Sequence, residues 1–271
     1  MQLKSLSIAL MTTALASQSL PVLAQGAAGP NLAPAAEAPA PGPVATLALA
    51  QELYATGLAS GDALTVLTAA KLAAATSVTV AEAAALDAAM LEATDDTTVT
   101  RKKAAPGAPA APAPMMNDGA RPVAMVTVHA GTGTAEAAGA AAPTADDMFA
   151  SARALAGDDP ALLALIDDAA AESSRGAIGG MQQYEVQTAG GQTDVWEIAF
   201  AGNSYAEILV EGSGSGNLDL VVTDENGNVI CYEASPSDQA YCDFIPAWDG
   251  YFYVTVLNTG ETGNPYRLVT N

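Results

Sequence analysis

The sequence predicts an α+β protein in which alanine-rich helical hairpins precede a C-terminal antiparallel β-sandwich or jelly roll of about eight strands. Two observations support this prediction. Apolar residues recur at helical spacing in residues 45–93 and 144–176, and the apolar period changes to two after residue 180. In residues 181–271, short strand patterns alternate with turns that contain glycine, asparagine or proline, as is typical of a sandwich.

Residues 1–24 have the features of a secretory signal peptide. Lys4 supplies a positive charge, an apolar run follows, and Val22-Leu23-Ala24 forms a small-residue cleavage pattern. A membrane-spanning helix would need about 20 predominantly apolar residues, and no stretch of the sequence meets that requirement. We therefore expect export to a bacterial periplasm or the extracellular medium, with no transmembrane segment after removal of the signal peptide.

The chain is strongly acidic, with 30 aspartate or glutamate residues, nine lysine or arginine residues and a formal net charge of −21. Such a charge repels nucleic acid and anionic lipid headgroups, so we expect neither as a partner. It favours solubility, cations and basic partners.

Residues 25–44 are rich in proline, alanine and glycine, which predicts a flexible leader. In the helical segment 45–93, a second helix is predicted to follow the stop and N-cap at residues 60–62. A third is predicted to begin at the capping box of residues 79–82 and to continue to Ala93. Because alanine faces bury little apolar area, this segment needs another part of the chain to pack against.

Residues 94–143 are predicted to be a disordered linker rich in proline, alanine and glycine, in which residues 123–128 could form a short strand. Residues 144–176 predict a helical hairpin whose second helix begins at Asp159-Pro160. We expect the two helical regions to be halves of one small bundle. A helical repeat array is the alternative, but the sequence has no fixed period.

The period-two pattern predicts strands at 182–188, 194–201, 205–211, 217–223, 229–233, 240–245, 251–257 and 266–270. Alternation places nine apolar side chains in the core: Trp196, Ile198, Phe200, Leu218, Leu220, Val222, Phe252, Val254 and Val256. Their neighbours Glu197, Asp219 and Thr223 are then expected to face outward or a loop. Asn226-Gly227 predicts a type I′ hairpin turn, which needs positive φ at both central residues.

Cys231 and Cys242 are the only two cysteines. In an exported protein they predict one disulfide rather than a redox pair, and two cysteines with the remote His129 do not supply a structural zinc site. Closing so short a loop contributes roughly 3 kcal/mol in the chain-entropy model.

Three features of the last third of the chain resemble the bacterial pre-peptidase C-terminal domain. They are the D-L-x-V strand at 219–222, the Asp-x-Asn-Gly-Asn turn at 224–228, and a P-x-x-x-G-x-x-x-V-x-V element at 246–256. That family is an extracellular β-sandwich often appended to secreted peptidases. The resemblance implies an exported accessory module that acts in folding, secretion, or contact with protein or polysaccharide. It implies no peptidase activity here, because the preceding residues are poor in catalytic residue types.

The acidic turn at residues 224–228 raises the hypothesis of a calcium site, because calcium binds clustered carboxylate and amide oxygens. The site would be formed by Asp219, Asp224, Asn226 and Asp249, with support from family analogy. The turn does not match an EF-hand loop, and a plain hairpin turn is the favoured interpretation.

Aromatic residues of the predicted sandwich suggest a binding surface. Tyr251 and Tyr253 could project outward, together with Tyr205 and Tyr232, and Trp248 lies in the loop before the strand. Exposed aromatic rings can bind sugar rings or a protein partner. Cross-strand pairing of the tyrosines within the sheet explains the pattern as well.

His129 is the only histidine, and it lies in the predicted linker, where no third group would orient its imidazole for catalysis. We therefore expect no enzyme activity and no cofactor other than the hypothetical calcium ion. The sequence predicts an exported, non-catalytic accessory or binding protein whose sandwich contacts an exported protein or a polysaccharide. The alternatives are a companion subunit of a secreted peptidase and a purely structural envelope component.

Overall fold

The structure is a computed structural model. It describes residues 29–34, 40–76, 78–81, 89, 91–93, 99–102, 116–117, 121–122, 124–125, 142–173, 181–214 and 216–271. The predicted signal peptide, His129 and most of the predicted linker lie outside the described residues.

Within these residues the chain forms helices and short strands before residue 174, and strands alone from residue 181 onward. The helices are α1 (Pro43–Ser60), α2 (Ala63–Ala75), α3 (Ala145–Ala156) and α4 (Pro160–Ser173). The strands before and between the helices are β1 (Val78–Val80), β2 (Leu91–Ala93), β3 (Val99–Arg101), β4 (Met116–Asn117), β5 (Arg121–Pro122) and β6 (Ala124–Met125). The C-terminal strands are β7 (Met181–Thr188), β8 (Thr193–Phe200), β9 (Ala206–Gly212), β10 (Leu218–Asp224), β11 (Val229–Glu233), β12 (Gln239–Phe244), β13 (Gly250–Asn258) and β14 (Asn264–Thr270).

The eight C-terminal strands, together with β1 and β6, form a β-sandwich of two five-stranded sheets, which confirms the α+β fold class. Sheet 1 has the order β1-β7-β14-β9-β12, and sheet 2 has the order β11-β10-β13-β8-β6. All pairs are antiparallel except β1 with β7. The eight predicted strands agree with β7 to β14 within two residues at each end.

The sandwich core lies between the two sheets. All nine apolar side chains that alternation predicts to face inward belong to it. Sheet 1 supplies the opposite wall, which includes Tyr184, Ile208, Phe244 and Leu268. Alternate residues of sheet 1 therefore face away from this core, and some of them take part in a second one.

The second core joins the helices to the outer face of sheet 1. Met148, Phe149 and Ile166 of the helices are fully or almost fully buried in one cluster with Leu209 and Val269 of the sheet. Residues of α1 and α2 belong to the same cluster, so the two helical regions pack together as expected. The alanine-rich faces of the helices therefore bury apolar surface against the sheet as well as against one another.

Local sequence signals set the starts of the later helices. Asp62 accepts a hydrogen bond from Leu64 N at the start of α2, at 2.9 Å. Thr144 and Asp147 form a reciprocal capping box on α3. Asp159 Oδ1 accepts from Ala161 N at 3.0 Å before α4. Gly61 ends α1 with a φ of 67°, a conformation that glycine adopts without strain.

The predicted third helix is wrong at both of its ends, which the structure describes. Residues 78–80 instead form β1, which pairs with Met181–Gln183 of β7, and Ala81 N donates to Gln183 O at 2.8 Å. Residues 91–93 form β2, which pairs with β3. The Val-Thr-Val sequence of residues 78–80 favours a strand. The edge of β7 supplies backbone hydrogen bonds to this strand, whereas the first turn of a helix at this position would not have these bonds.

The outer face of sheet 2 is covered, which corrects the expectation that Glu197 and Thr223 face outward. Both residues have no exposed surface. Leu91 of β2 packs with Val195 and Tyr253 on this face, and Thr223 Oγ1 donates to the carbonyl oxygen of Val99 at 3.1 Å. The cover comes from a part of the chain that the sequence predicts to be the end of the helical segment and the start of the linker.

Residues 29–34, predicted to belong to a flexible leader, lie against the sandwich. Ala33 N donates to Ile245 O at 2.8 Å, and Asn31 is fully buried. Helix α1 begins at Pro43, two residues before the predicted start. None of the helices in the described ranges is long and apolar enough to cross a membrane.

Candidate functional site

A cleft lies between helix α1 and one end of sheet 1. Its volume is about 630 Å³. Helix α1 contributes Gln51, Glu52 and Tyr54, and the strand ends contribute Glu211 and Asp238. The site therefore depends on the packing of the helices onto the sandwich, because neither part encloses it alone.

Glu211, which lines the cleft, forms a buried ion pair with Arg267. Arg267 Nε and Nη2 approach Glu211 Oε2 at 2.7 and 2.6 Å, and Gln239 Nε2 donates to Glu211 Oε1 at 3.3 Å. Both charged side chains are less than a tenth exposed. Burial raises the pKa of Glu211 to about 7, although the attraction of Arg267 acts in the opposite direction.

The rim of the cleft is held by hydrogen bonds. Gln239 Nε2 donates to Ala48 O at 3.0 Å, and Gln51 Nε2 donates to Pro143 O at 2.9 Å. Asp238 accepts from Gly214 N and Asn264 Nδ2, both at 2.6 Å. These bonds fix the two sides of the cleft relative to each other, so its shape is set before any ligand arrives.

The charge of the cleft is of one sign. Glu52 is exposed on α1, and Asp238 and Glu211 lie on the opposite side. No lysine or arginine is among the described residues that line the cleft. Because Arg267 neutralises Glu211, the negative potential of the cleft comes from Glu52 and Asp238, and it favours cationic groups.

A second buried carboxylate orients helix α1. Glu207 Oε1 accepts from Ala45 N at 3.0 Å and from the Tyr241 hydroxyl at 2.9 Å. The carboxylate therefore lies at the positive end of the helix dipole. Gly42 permits this contact, since a Cβ there would collide with the carboxylate. Burial, together with hydrogen bonds to Tyr205 and Glu207, raises the pKa of Tyr241 well above its usual value.

The predicted disulfide is confirmed. Cys231 and Cys242 are bonded, with their Cα atoms 6.1 Å apart. Cys231 lies on β11, an edge strand of sheet 2, and Cys242 lies on β12, an edge strand of sheet 1. The bond therefore joins the two sheets along one side of the sandwich.

The four residues proposed for calcium do not form one site. Asp219 and Asp224 are five residues apart on β10, roughly 17 Å, whereas oxygen ligands lie about 2.3–2.6 Å from a calcium ion. Asp249 Oδ1 accepts from Gly202 N at 2.8 Å instead. In the part of the chain that the structure describes, no group of three or more histidine, cysteine, aspartate or glutamate side chains could hold a metal ion.

Asp224 organises the turn at residues 224–228. Its Oδ1 accepts from the backbone N–H groups of Asn226 and Asn228, both at 2.9 Å. The expectation of a type I′ turn is wrong, because Gly227 has a φ of 84° but Asn226 is not among the described residues with positive φ. A register shift between Val222 and Thr223 accompanies the turn, so a bulge matches the two strands.

The predicted aromatic surface is buried at Tyr251 and Tyr253. Tyr251 is 8% exposed and Tyr253 is 1% exposed, because the outer face of sheet 2 is covered. Tyr253 donates to Glu197 Oε2 at 2.8 Å. Trp248 is partly buried, and its indole N–H donates to Glu225 Oε1 at 2.6 Å. Tyr232 alone among these residues is mostly exposed, at 61%.

The pairing of Glu211 with Arg267 was not predicted from the sequence. A signal was present, because Arg267 is the only basic residue among residues 181–271 and lies in a predicted strand. A lone cation in an acidic, strand-rich region needs a carboxylate partner when it is buried. The spacing of the strands in sequence did not indicate which carboxylate that would be.

Comparison with known proteins finds similarity to part of the chain only. No family model matches the sequence, and no curated protein matches it. Among solved structures, the pre-peptidase C-terminal domain of a Bacillus anthracis collagenase is 19% identical, covering 35% of this chain and 81% of that chain with a TM-score of 0.21.

Two other solved structures have comparable values. The periplasmic lysozyme inhibitor PliG of Aeromonas hydrophila is 17% identical, covering 34% of this chain and 84% of that chain with a TM-score of 0.26. The carbohydrate-binding module TmCBM61, solved with β-1,4-galactotriose, is 16% identical, covering 37% and 77% with a TM-score of 0.22.

Proposed function

We propose that the protein is an exported, non-catalytic binding protein that holds a cationic segment of a protein partner in the cleft between α1 and the sandwich. The observation that carries the proposal is the cleft itself, a preformed concavity of about 630 Å³ lined by carboxylate and amide side chains. The disulfide Cys231–Cys242 supports export, since such bonds persist in oxidising compartments.

The hydrogen bonding of the cleft supports binding rather than catalysis. Glu211 is occupied by Arg267 and Gln239, and Asp238 is occupied by Gly214 and Asn264. Neighbouring groups of the fold therefore engage both carboxylates, and Asp238 adds to the negative potential of the cleft. Glu52, which is exposed on α1, is the acidic group best placed to contact a ligand directly.

Of the two partner classes that the sequence predicts, a protein fits the cleft better than a neutral polysaccharide. The lining is acidic, and the whole chain carries a formal charge of −21. Both features raise the local concentration of a lysine- or arginine-bearing segment and accelerate its association. The same charge does not raise the affinity for neutral sugar rings.

The test is a calorimetric titration of the full chain with a decalysine peptide and with a neutral β-1,4-linked oligosaccharide. We expect one peptide to bind per chain at low salt, and the affinity to fall steeply with added salt. Glu52→Gln should weaken peptide binding about two- to fivefold, because one close charge is removed. The matched control is Asp168→Asn, which removes an exposed carboxylate on α4 away from the cleft.

Three outcomes would contradict the proposal. An equal loss in both variants would mean that the peptide responds to net charge and not to the cleft. Binding of the oligosaccharide without the peptide would reverse the choice of partner. Binding of neither would favour the structural envelope component as the function.

A further inference from the structure

The segment 29–34 is anchored by a polar side chain instead of an apolar one. Asn31 is fully buried, whereas Leu32 is 42% exposed and Pro30 is exposed as well. Apolar burial therefore does not hold this segment on the sandwich. Its position depends on hydrogen bonds, which need a specific partner at each atom.

The sandwich satisfies every hydrogen-bonding position of the Asn31 carboxamide. Asn31 Oδ1 accepts from the backbone N–H groups of Ala247 and Trp248, at 2.9 and 3.0 Å. Asn31 Nδ2 donates to Trp248 O at 3.1 Å and to Glu225 Oε2 at 3.4 Å. A carboxamide offers two lone pairs and two N–H donors, and all four are used. Glu225, Ala247 and Trp248, which bind the carboxamide, form the Asn31 socket together with Asp224, which binds the main-chain N–H of Asn31.

The main chain of the segment is bound as a peptide ligand would be. Asn31 N donates to Asp224 Oδ2 at 2.7 Å, and Ala33 N donates to Ile245 O at 2.8 Å. Leu32 N donates to Pro30 O at 2.8 Å, so a tight turn presents the Asn31 side chain. None of these contacts requires the apolar side chains of the segment.

The walls of the Asn31 socket are fixed by the sandwich itself. Asp224 is held by the backbone of its own turn, and the Trp248 indole holds Glu225 at 2.6 Å. Gly250 leaves the space for the carboxamide, because a Cβ at this position would lie 2.5 Å from Asn31 Nδ2. The socket is therefore built without help from residues 29–34, and a preformed site of this kind can accept the same group from another chain.

We propose that the Asn31 socket is a peptide-binding site specific for an asparagine carboxamide, that residues 29–34 close it in cis, and that an asparagine-bearing segment of a partner chain takes their place. The site is separate from the cleft and does not depend on the function proposed for it. Covalent attachment gives the cis segment an effective concentration of about a millimolar, so a free peptide competes poorly until Asn31 is removed.

The experiment titrates the full-length variant Asn31→Ala with the synthetic peptide GPNLAP and follows the two tryptophan indole N–H signals by NMR. Trp248 lies in the socket, whereas Trp196 is buried in the sandwich core and reports that the fold is intact. We expect the peptide to shift the Trp248 signal of the variant and to bind the wild-type chain at least tenfold more weakly. The peptide GPALAP should have no effect.

Two further variants keep the proposal falsifiable. If Asn31→Ala fails to fold, Asn31→Asp serves as the open variant. It retains the side-chain size, and its carboxylate is repelled by Glu225, so residues 29–34 should leave the socket. Adding Gly250→Ala to the open variant should abolish binding, because the new methyl group fills the carboxamide space. Absence of a Trp248 shift in a folded open variant, equal affinity for the wild type, or equal binding of GPALAP would overturn the proposal.

Discussion

Individual buried charges determine how the sandwich meets the helices. Glu207, Glu211 and Arg267 lie on the outer face of sheet 1, and each is at most 4% exposed. Breaking a buried ion pair by removing one partner costs several kcal/mol, whereas the intact pair adds little net stability. These residues therefore fix the position of α1 and of the cleft lining at Glu211 more than they strengthen the fold.

Glu211 should make stability depend on pH. Its folded pKa of about 7 is higher than its ordinary value of 4.5, so between these pH values the folded state binds more protons than the unfolded state. The free energy of unfolding should then fall by up to about 3 kcal/mol as pH rises from 4.5 to 7. Urea unfolding of the wild type and Glu211→Gln at several pH values tests this.

The variant is expected to be less stable overall, since Arg267 loses its charged partner, but to lack this part of the pH dependence. Asp168→Asn is the matched control, because it removes an exposed carboxylate and should keep the slope. An unchanged slope in Glu211→Gln would show that another group is responsible.

Asp224 should stabilise its turn without calcium. Its two oxygens accept hydrogen bonds from Asn31 N, Asn226 N and Asn228 N. Asp224→Ala leaves these donors unpaired and should lower the free energy of unfolding by about 2–4 kcal/mol. We expect the wild-type Tm to be the same in calcium and in a chelator. A higher Tm with calcium that disappears in Asp224→Ala would restore the calcium hypothesis.

At the scale of elements, the sandwich has one side where two edge strands are joined covalently. Strand β11 is short and largely solvent-facing, with Val229 and Tyr232 more than half exposed. Such an edge contributes little apolar burial and opens easily. The bond from Cys231 to Cys242 ties it to the opposite sheet.

Replacement of both cysteines by serine should lower the free energy of unfolding by about 3 kcal/mol. The loss should be concentrated at the edge, so amide hydrogen exchange should accelerate in β11 more than in the central strand β10. Reduction of the wild type is the control, and it should reproduce the effect. Uniform acceleration across both sheets would contradict a role for the bond at this edge.

Sequence periodicity was sufficient to predict the strands of residues 181–271. The strands β7 to β14 and their nine inward side chains follow from period-two alternation and turn residues. It was not sufficient for β1, for Asn31 or for the burial of Tyr253. Each of these depends on a partner about 100 to 200 residues away, and no local pattern specifies such a partner.

The candidate site was also predictable from the sequence only in part. The acidic charge of the cleft could be anticipated from composition, and the disulfide from the presence of only two cysteines. The pairing of Glu211 with Arg267 depends on β14 lying beside β9, which the order of the strands in sequence does not reveal. The same limit explains why the calcium hypothesis grouped residues from opposite ends of β10.

For the whole molecule, the helices and the sandwich should unfold together. Leu209 lies on a strand of sheet 1 and is buried in the helical core, so each part completes the apolar surface of the other. Leu209→Ala should lower the free energy of unfolding by about 2–5 kcal/mol. Helical circular dichroism and Trp196 fluorescence should still report one transition at one lowered Tm.

The control is Leu165→Ala on α4, where the side chain is 49% exposed and the change should have little effect. Two separate transitions in the wild type, with the helices melting first, would show that the shared core is too weak to couple the two parts.

The place of β14 in sheet 1 has a consequence for the order of folding. The last strand of the chain lies between β7 and β9, so sheet 1 has a gap at its centre until residues 264–270 are present. During synthesis from the N-terminus, neither core can be completed before residues 264–270 are available to pair with β7 and β9. Tyr266 and Leu268 of β14 belong to the sandwich core and Val269 belongs to the helical core, so the insertion of this one strand completes both.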